Sequence, residues 1–147
     1  MLALNESILK SIKDYLGIPE DIYDFDHQLI AEANSVFMVL NQLGVGVTTG
    51  FELTGYEETW FDFLRTKSPL LSATKAYVTQ KIRIVFDPPV SSFVLDSLQK
   101  RIDELEWRLM IQAERMESDD GIEPHALRNL RNEVGSSQGS FKRCNKN

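Results

Sequence analysis

The sequence predicts an all-α fold: a four-helix bundle-like domain over residues 1–116, one long loop or short hairpin at 45–58, and a C-terminal extension over 117–147. Three observations carry this expectation. Apolar residues recur at helical spacing in four separate stretches. Between the last two stretches stands Asp87-Pro88-Pro89, a hard stop, because proline lacks an N–H, clashes with the preceding turn and pushes the residue before it out of the α region. Finally, 42% of the 147 residues are hydrophobic and 26% charged, an ordinary globular balance for one domain with a tail.

Asn5 or Ser7 can cap the first helix, whose face is Leu4, Ile8, Ile12, Tyr15 and Leu16. Gly17 ends it, and Pro19 follows as expected beyond a helix end. Glu20 to Asp26 is an acidic link, with Asp26 a cap for the second helix. There Leu29, Ala33, Val36, Phe37, Leu40 and Leu43 make a wide apolar face, closed by Gly44 and Gly46. Residues 45–58 alternate small, β-branched and glycine residues; a loop of this length in a compact domain is often functional. Trp60, Phe61 and Phe63 would anchor one short turn of helix on the core.

Ser68-Pro69 opens the third helix, with Ser as cap and Pro at its first position. Its stripe is Tyr77, Val78, Ile82 and Val85. Beyond the proline corner, Ser91 or Ser92 caps the fourth helix, which runs to about Met116 on the stripe Val94, Leu98, Ile102, Leu105 and Leu109. Opposite that stripe Lys100, Glu104 and Arg108 form i,i+4 pairs in solvent. Such a corner makes two antiparallel neighbours. After Gly121, Pro124 can begin a short helix with Ala126, Leu127, Leu130 and Val134 on one face. Past Gly135 the polar chain reads as disordered when alone.

The net charge is −6. Residues 117–147 carry five acids and five bases, so the whole excess lies in residues 1–116. An acidic body is a poor general binder of nucleic acid, since phosphate affinity comes mainly from Lys and Arg. That argues against the alternative reading, a helical regulatory or DNA-binding domain, which needs a basic recognition helix. The single cysteine, Cys144, allows no intrachain disulfide. No stretch approaches 18 consecutive apolar residues, so no membrane span is expected, and the first twenty residues do not read as a signal peptide.

No catalytic, cofactor-binding or metal site is expected. His27 and His125 lie far apart and in no two-histidine metal spacing. Glu104 and Glu106 point to different sides of a helix, and Asp62, Asp87 and Asp96 have no evident partner. Gly44, Gly46 and Gly50 lack the GK[ST] of a phosphate loop. Cys144 has no paired histidine, which leaves a small hydrolase without a constellation. Trp60 reads as core or as contact. Trp107, off the stripe of the fourth helix, is a candidate interface anchor, or else part of a stripe widened by packing from the third helix.

One resemblance gives this domain a role. The short first helix, the Asn-Gln-Leu-Gly-Val-Gly end of the second at 41–46, Thr59-Trp60-Phe61-Asp62-Phe63, Lys75-Ala76-Tyr77-Val78 and Phe86-Asp87-Pro88-Pro89 through Leu109 resemble the head-tail connector (adaptor) proteins of long-tailed bacteriophages. The resemblance implies a non-enzymatic virion protein of the neck, made in the host bacterial cytoplasm. It implies a twelve-fold ring of this chain beneath the portal protein, which hands the DNA channel to a stopper or head-completion protein and the tail. DNA would pass through without sequence-specific binding. The family engages the portal through its C-terminal helix or extension, so Ile122, Leu127, Arg128, Leu130, Arg131, Phe141, Lys142 and Arg143 are portal-contact candidates. For the ring, the candidates are Trp107 and Arg108 on one side and Phe51, Tyr56 and Trp60 on the other, since a closed ring joins two different surfaces.

Overall fold

A computed structural model describes residues 4–65 and 70–119. Five helices follow in order: α1 (Ile8–Leu16), α2 (Asp26–Gln42), α3 (Trp60–Leu64), α4 (Leu70–Phe86) and α5 (Ser92–Asp119). The described residues contain no strand, so the architecture is all-α. The chain divides into two units, Met1–Gln112 and Ala113–Asn147; the described part of the second is the end of α5. The Ser68-Pro69 start expected for α4 and the short helix expected after Pro124 lie outside the described residues.

Local chemistry sets the ends of α1. Ser7 Oγ accepts from Lys10 N, and Gly17 takes a left-handed φ of 74° while its N–H bonds to Asp14 O. α1, α2 and α4 pack on one another. Between them lie Ile8, Leu9, Ile12, Leu29, Phe37, Leu40, Tyr77, Val78 and Ile82, all buried. α3 is the short aromatic turn. Thr59 and Asp62 form a reciprocal capping box: Thr59 Oγ1 accepts from Asp62 N, and Thr59 N donates to Asp62 Oδ2 at 2.8 Å. Trp60 is fully covered, and its Nε1 donates to Ser11 Oγ at 3.0 Å.

Residues 45–58 form an ordered loop, not a hairpin. Two asparagines of α2 take the place of a partner strand. Asn34 brackets Leu53, donating to its carbonyl at 3.0 Å and accepting from its N–H at 2.7 Å. Asn41 donates to Val47 O at 2.7 Å. Phe51 closes an aromatic cluster with Phe37 and Phe63 at ring distances of 5.0 and 5.4 Å. Gly46 makes the tight approach possible: with φ at +89°, a Cβ there would stand 2.4 Å from the Phe63 ring.

Asp26 departs from expectation. It is the first residue of α2, behind Phe25, and caps nothing. Its carboxylate is engaged instead by Lys13 and Tyr56. Lys13, which the sequence places on no apolar stripe, is only 1% exposed. Its Nζ donates to Ile22 O at 2.6 Å, Glu20 O at 3.2 Å and Tyr56 Oη at 2.7 Å, and pairs with Asp26 Oδ1 at 3.2 Å. Tyr56 Oη donates to Asp26 Oδ2 at 2.6 Å. One buried ammonium thus fastens the acidic link and the long loop to α1 and α2. Burial works against its charge, but the Tyr56 and Asp26 contacts prevail and raise its pKa above the ordinary lysine value. The Tyr56 phenol is also raised, first by burial and then by its bond to Asp26.

The proline corner separates α4 from α5 between Phe86 and Ser92. The two helices run antiparallel: Leu70 and Ala73 face Leu109 and Gln112, Tyr77 faces Glu106, and Gln80 faces Arg101. Tyr77 Oη donates to Glu106 Oε2 at 2.7 Å; burial, then this bond, pushes the phenol pKa up. Two stripe expectations need correction here. Val85 is exposed, and the next residue, Phe86, meets Phe25 in its place. On α5 only Ile102 and Leu109 of the stripe are buried, whereas Val94 is exposed and Leu98 and Leu105 are half-buried. A periodic stripe shows where a partner would sit, not that the same chain supplies one.

Candidate functional site

The polar side chains most prominent in the sequence serve the fold. Asp62 forms the cap of α3, and the Thr59 backbone and hydroxyl hold its carboxyl below the usual range. Glu104 pairs with Arg108 at 2.8 Å, and Glu106 takes the Tyr77 hydroxyl. Glu58 is half-buried, which works against its charge, yet bonds from Thr54 and Gly55 outweigh that and lower its pKa. Asp87, Asp96 and His27 are exposed. Among the described residues no group of three or more His, Cys, Asp or Glu can hold a metal ion. His125 and Cys144 lie outside them.

What the folded chain leaves uncovered is apolar surface. At the α4–α5 corner Val85, Val90, Phe93 and Val94 are exposed, Phe93 by 79%, beside a Phe25–Phe86 ring pair at 5.4 Å. A second exposed aromatic, Trp107, stands 59% open on α5 next to the surface Arg108–Glu104 pair. Exposed apolar side chains grouped as at this corner are candidates for a surface where a protein meets another.

The loop candidates are placed differently. Phe51 is half-buried in the aromatic cluster, and Tyr56 has its hydroxyl committed to Lys13 and Asp26. Trp60 is wholly inside, so its assignment to a ring surface is corrected: its bond to Ser11 and its aromatic neighbours make it core. The portal-contact candidates from Ile122 to Arg143 lie outside the described residues. The sequence does not single out the corner patch, because Val94 falls on a helical core stripe. The signal available was Val90 and Phe93 flanking Pro88-Pro89 off that stripe.

An all-helical body with exposed apolar side chains at the α4–α5 corner and at Trp107 suits a protein that meets others. Its family follows from comparison with known proteins. A model of the phage connector protein family matches residues 8–116, from the first residue of α1 into the last turns of α5, and the chain belongs to that family. No curated protein and no solved structure matches it. The chain is therefore a structural connector protein of a phage, associated with other head and tail proteins. Among the described residues no helix is long and apolar enough to cross a membrane.

Proposed function

We propose that this chain forms a homo-oligomeric ring in the phage neck, twelve-fold as in the adaptors it resembles, which joins the portal at the head to the stopper and tail and continues the DNA channel. The observation that carries this is the uncovered apolar surface at the corner and at Trp107 on a chain of the connector family. A ring buries such surface against a neighbour through two different faces of each copy. The acidic body suits a channel through which DNA slides without sequence-specific contact. Residues 117–147 are the proposed portal arm. Ile122, Leu127, Leu130 and Phe141 would seat in a portal groove, and Arg128, Arg131, Lys142 and Arg143 would set register against carboxylates.

Native mass spectrometry of the wild type and of Trp107→Ala tests the ring contact. Trp107 is mostly in solvent, so its loss should change monomer stability by no more than about 0.5 kcal/mol. Loss of an aromatic anchor at an interface should raise the assembly midpoint about tenfold or more. A Trp107→Ala protein that assembles like the wild type removes Trp107 from the contact.

A further inference from the structure

The outward stripe of α2 carries no Lys, Arg, Asp or Glu. His27, Ala31, Ser35, Met38 and Gln42 follow one another at helical spacing, and all are exposed, Met38 by 60%. The two charged residues of the helix stand apart from this stripe: Asp26 is held by Lys13 and Tyr56, and Glu32 is half-buried. The solvent side of a helix is ordinarily charged, whereas the centre of a protein interface is depleted of charge and enriched in Met and aromatic residues. Ala31 and Ser35 let a large side chain come close to the helix, and Met38 adapts to what it meets.

The charge distribution selects the partner. No Lys or Arg occurs between Lys13 and Arg65, and residues 14–64 hold ten acids. They span the end of α1, the link, α2, the long loop and α3. Residues 65–116, which include α4 and most of α5, hold nine bases against six acids. Two halves that are acidic throughout repel one another, so the α2 face does not pair with itself across two copies. It suits the other half of a second copy, where every base of residues 1–116 except Lys10 and Lys13 lies. That is a head-to-tail contact, the kind that builds rings. On that half Trp107 is 59% exposed, and it hydrogen-bonds to none of the described residues. The loop candidates do not supply its counterpart, since Phe51 is half-buried and the Tyr56 hydroxyl is committed.

We propose that α2 of one copy receives α5 of the next, with Trp107 seated on Ala31, Ser35 and Met38. This inference rests on the ring reading and names the face opposite Trp107.

Charge placed on the α2 face tests it. Ala31→Glu with Ser35→Glu puts good helix formers at exposed positions, so circular dichroism should show an intact fold. The assembly midpoint should rise about tenfold or more, because two carboxylates would be desolvated against an indole. Thr48→Glu with Thr49→Glu adds the same charge to the exposed loop tip and should assemble like the wild type. Independently of any folding effect, benzoylphenylalanine at position 38 in mixed ¹⁴N and ¹⁵N protein should crosslink between copies onto residues 103–111 of α5. Wild-type assembly by the Ala31→Glu, Ser35→Glu protein, an equal loss in the loop-tip control, or position-38 crosslinks that are absent, fall elsewhere or go to the portal overturns this inference and leaves the ring standing. A wild type that stays monomeric with and without portal overturns both.

Discussion

Lys13→Met removes the ammonium that joins four groups and keeps a chain of similar length. Ile22 O, Glu20 O and Tyr56 Oη lose their shared donor, and Asp26 loses its ion pair. Breaking a buried pair on one side costs about 3–5 kcal/mol. The Asp26 side chain is 14% exposed and keeps the Tyr56 hydroxyl, so the low end applies, about 3 kcal/mol. For a domain of this size that lowers Tm by about 6–12 °C. Tyr56→Phe alone should cost about 1–3 kcal/mol. The double variant should cost less than the sum by more than about 0.5 kcal/mol, because both changes break one network. Lys13 and Tyr56 both have folded pKa values above their unfolded ones. Their contribution is therefore whole below about pH 10 and is lost as pH rises through the folded values. Urea denaturation followed by circular dichroism, at neutral pH and at steps above pH 9, reads both effects. A Lys13→Met loss under about 1 kcal/mol, with the wild type's alkaline decline unchanged, would refute the reasoning.

Two further outcomes follow from the loop and its caps. Gly46→Ala should destabilise by about 2–5 kcal/mol in urea, from left-handed strain and the Phe63 clash together, while Gly17→Ala, with open space around it, should cost about 1–2 kcal/mol. Glu58 and Asp62 have lowered pKa values, so their contribution is present above about pH 4.3 and is lost as pH falls through the folded values. Trp60 fluorescence in a Trp107→Phe background should report acid loosening below pH 4, and Asp62→Asn should flatten that response.

The fold was legible where the governing chemistry is local. Ser7 and Gly17 bound α1, the Thr59–Asp62 box opens α3, and Pro88-Pro89 part α4 from α5, each within a few residues of sequence. What escaped depends on distant partners. Lys13 is buried because Tyr56, 43 residues on, and two link carbonyls surround it, and no periodicity encodes that. Asp26 looks like a cap in the sequence and is drawn off by the same lysine. The loop reads equally as a hairpin until Asn34 and Asn41 of α2 are seen to hold it. Val85 and Val94 fit their stripes and are exposed all the same, since helical spacing fixes a face but not its occupant. Of the exposed apolar side chains, Trp107 was legible off its stripe, whereas the α4–α5 corner needed the packed helices.

The central claim, a ring that joins portal to tail, is tested most directly by electron microscopy of the full chain mixed with purified portal. The account predicts closed rings of this chain stacked coaxially on the portal, and portal particles that stay bare when residues 117–147 are removed. Portal particles that stay bare with the full chain, or that bind it as scattered single copies, would contradict it.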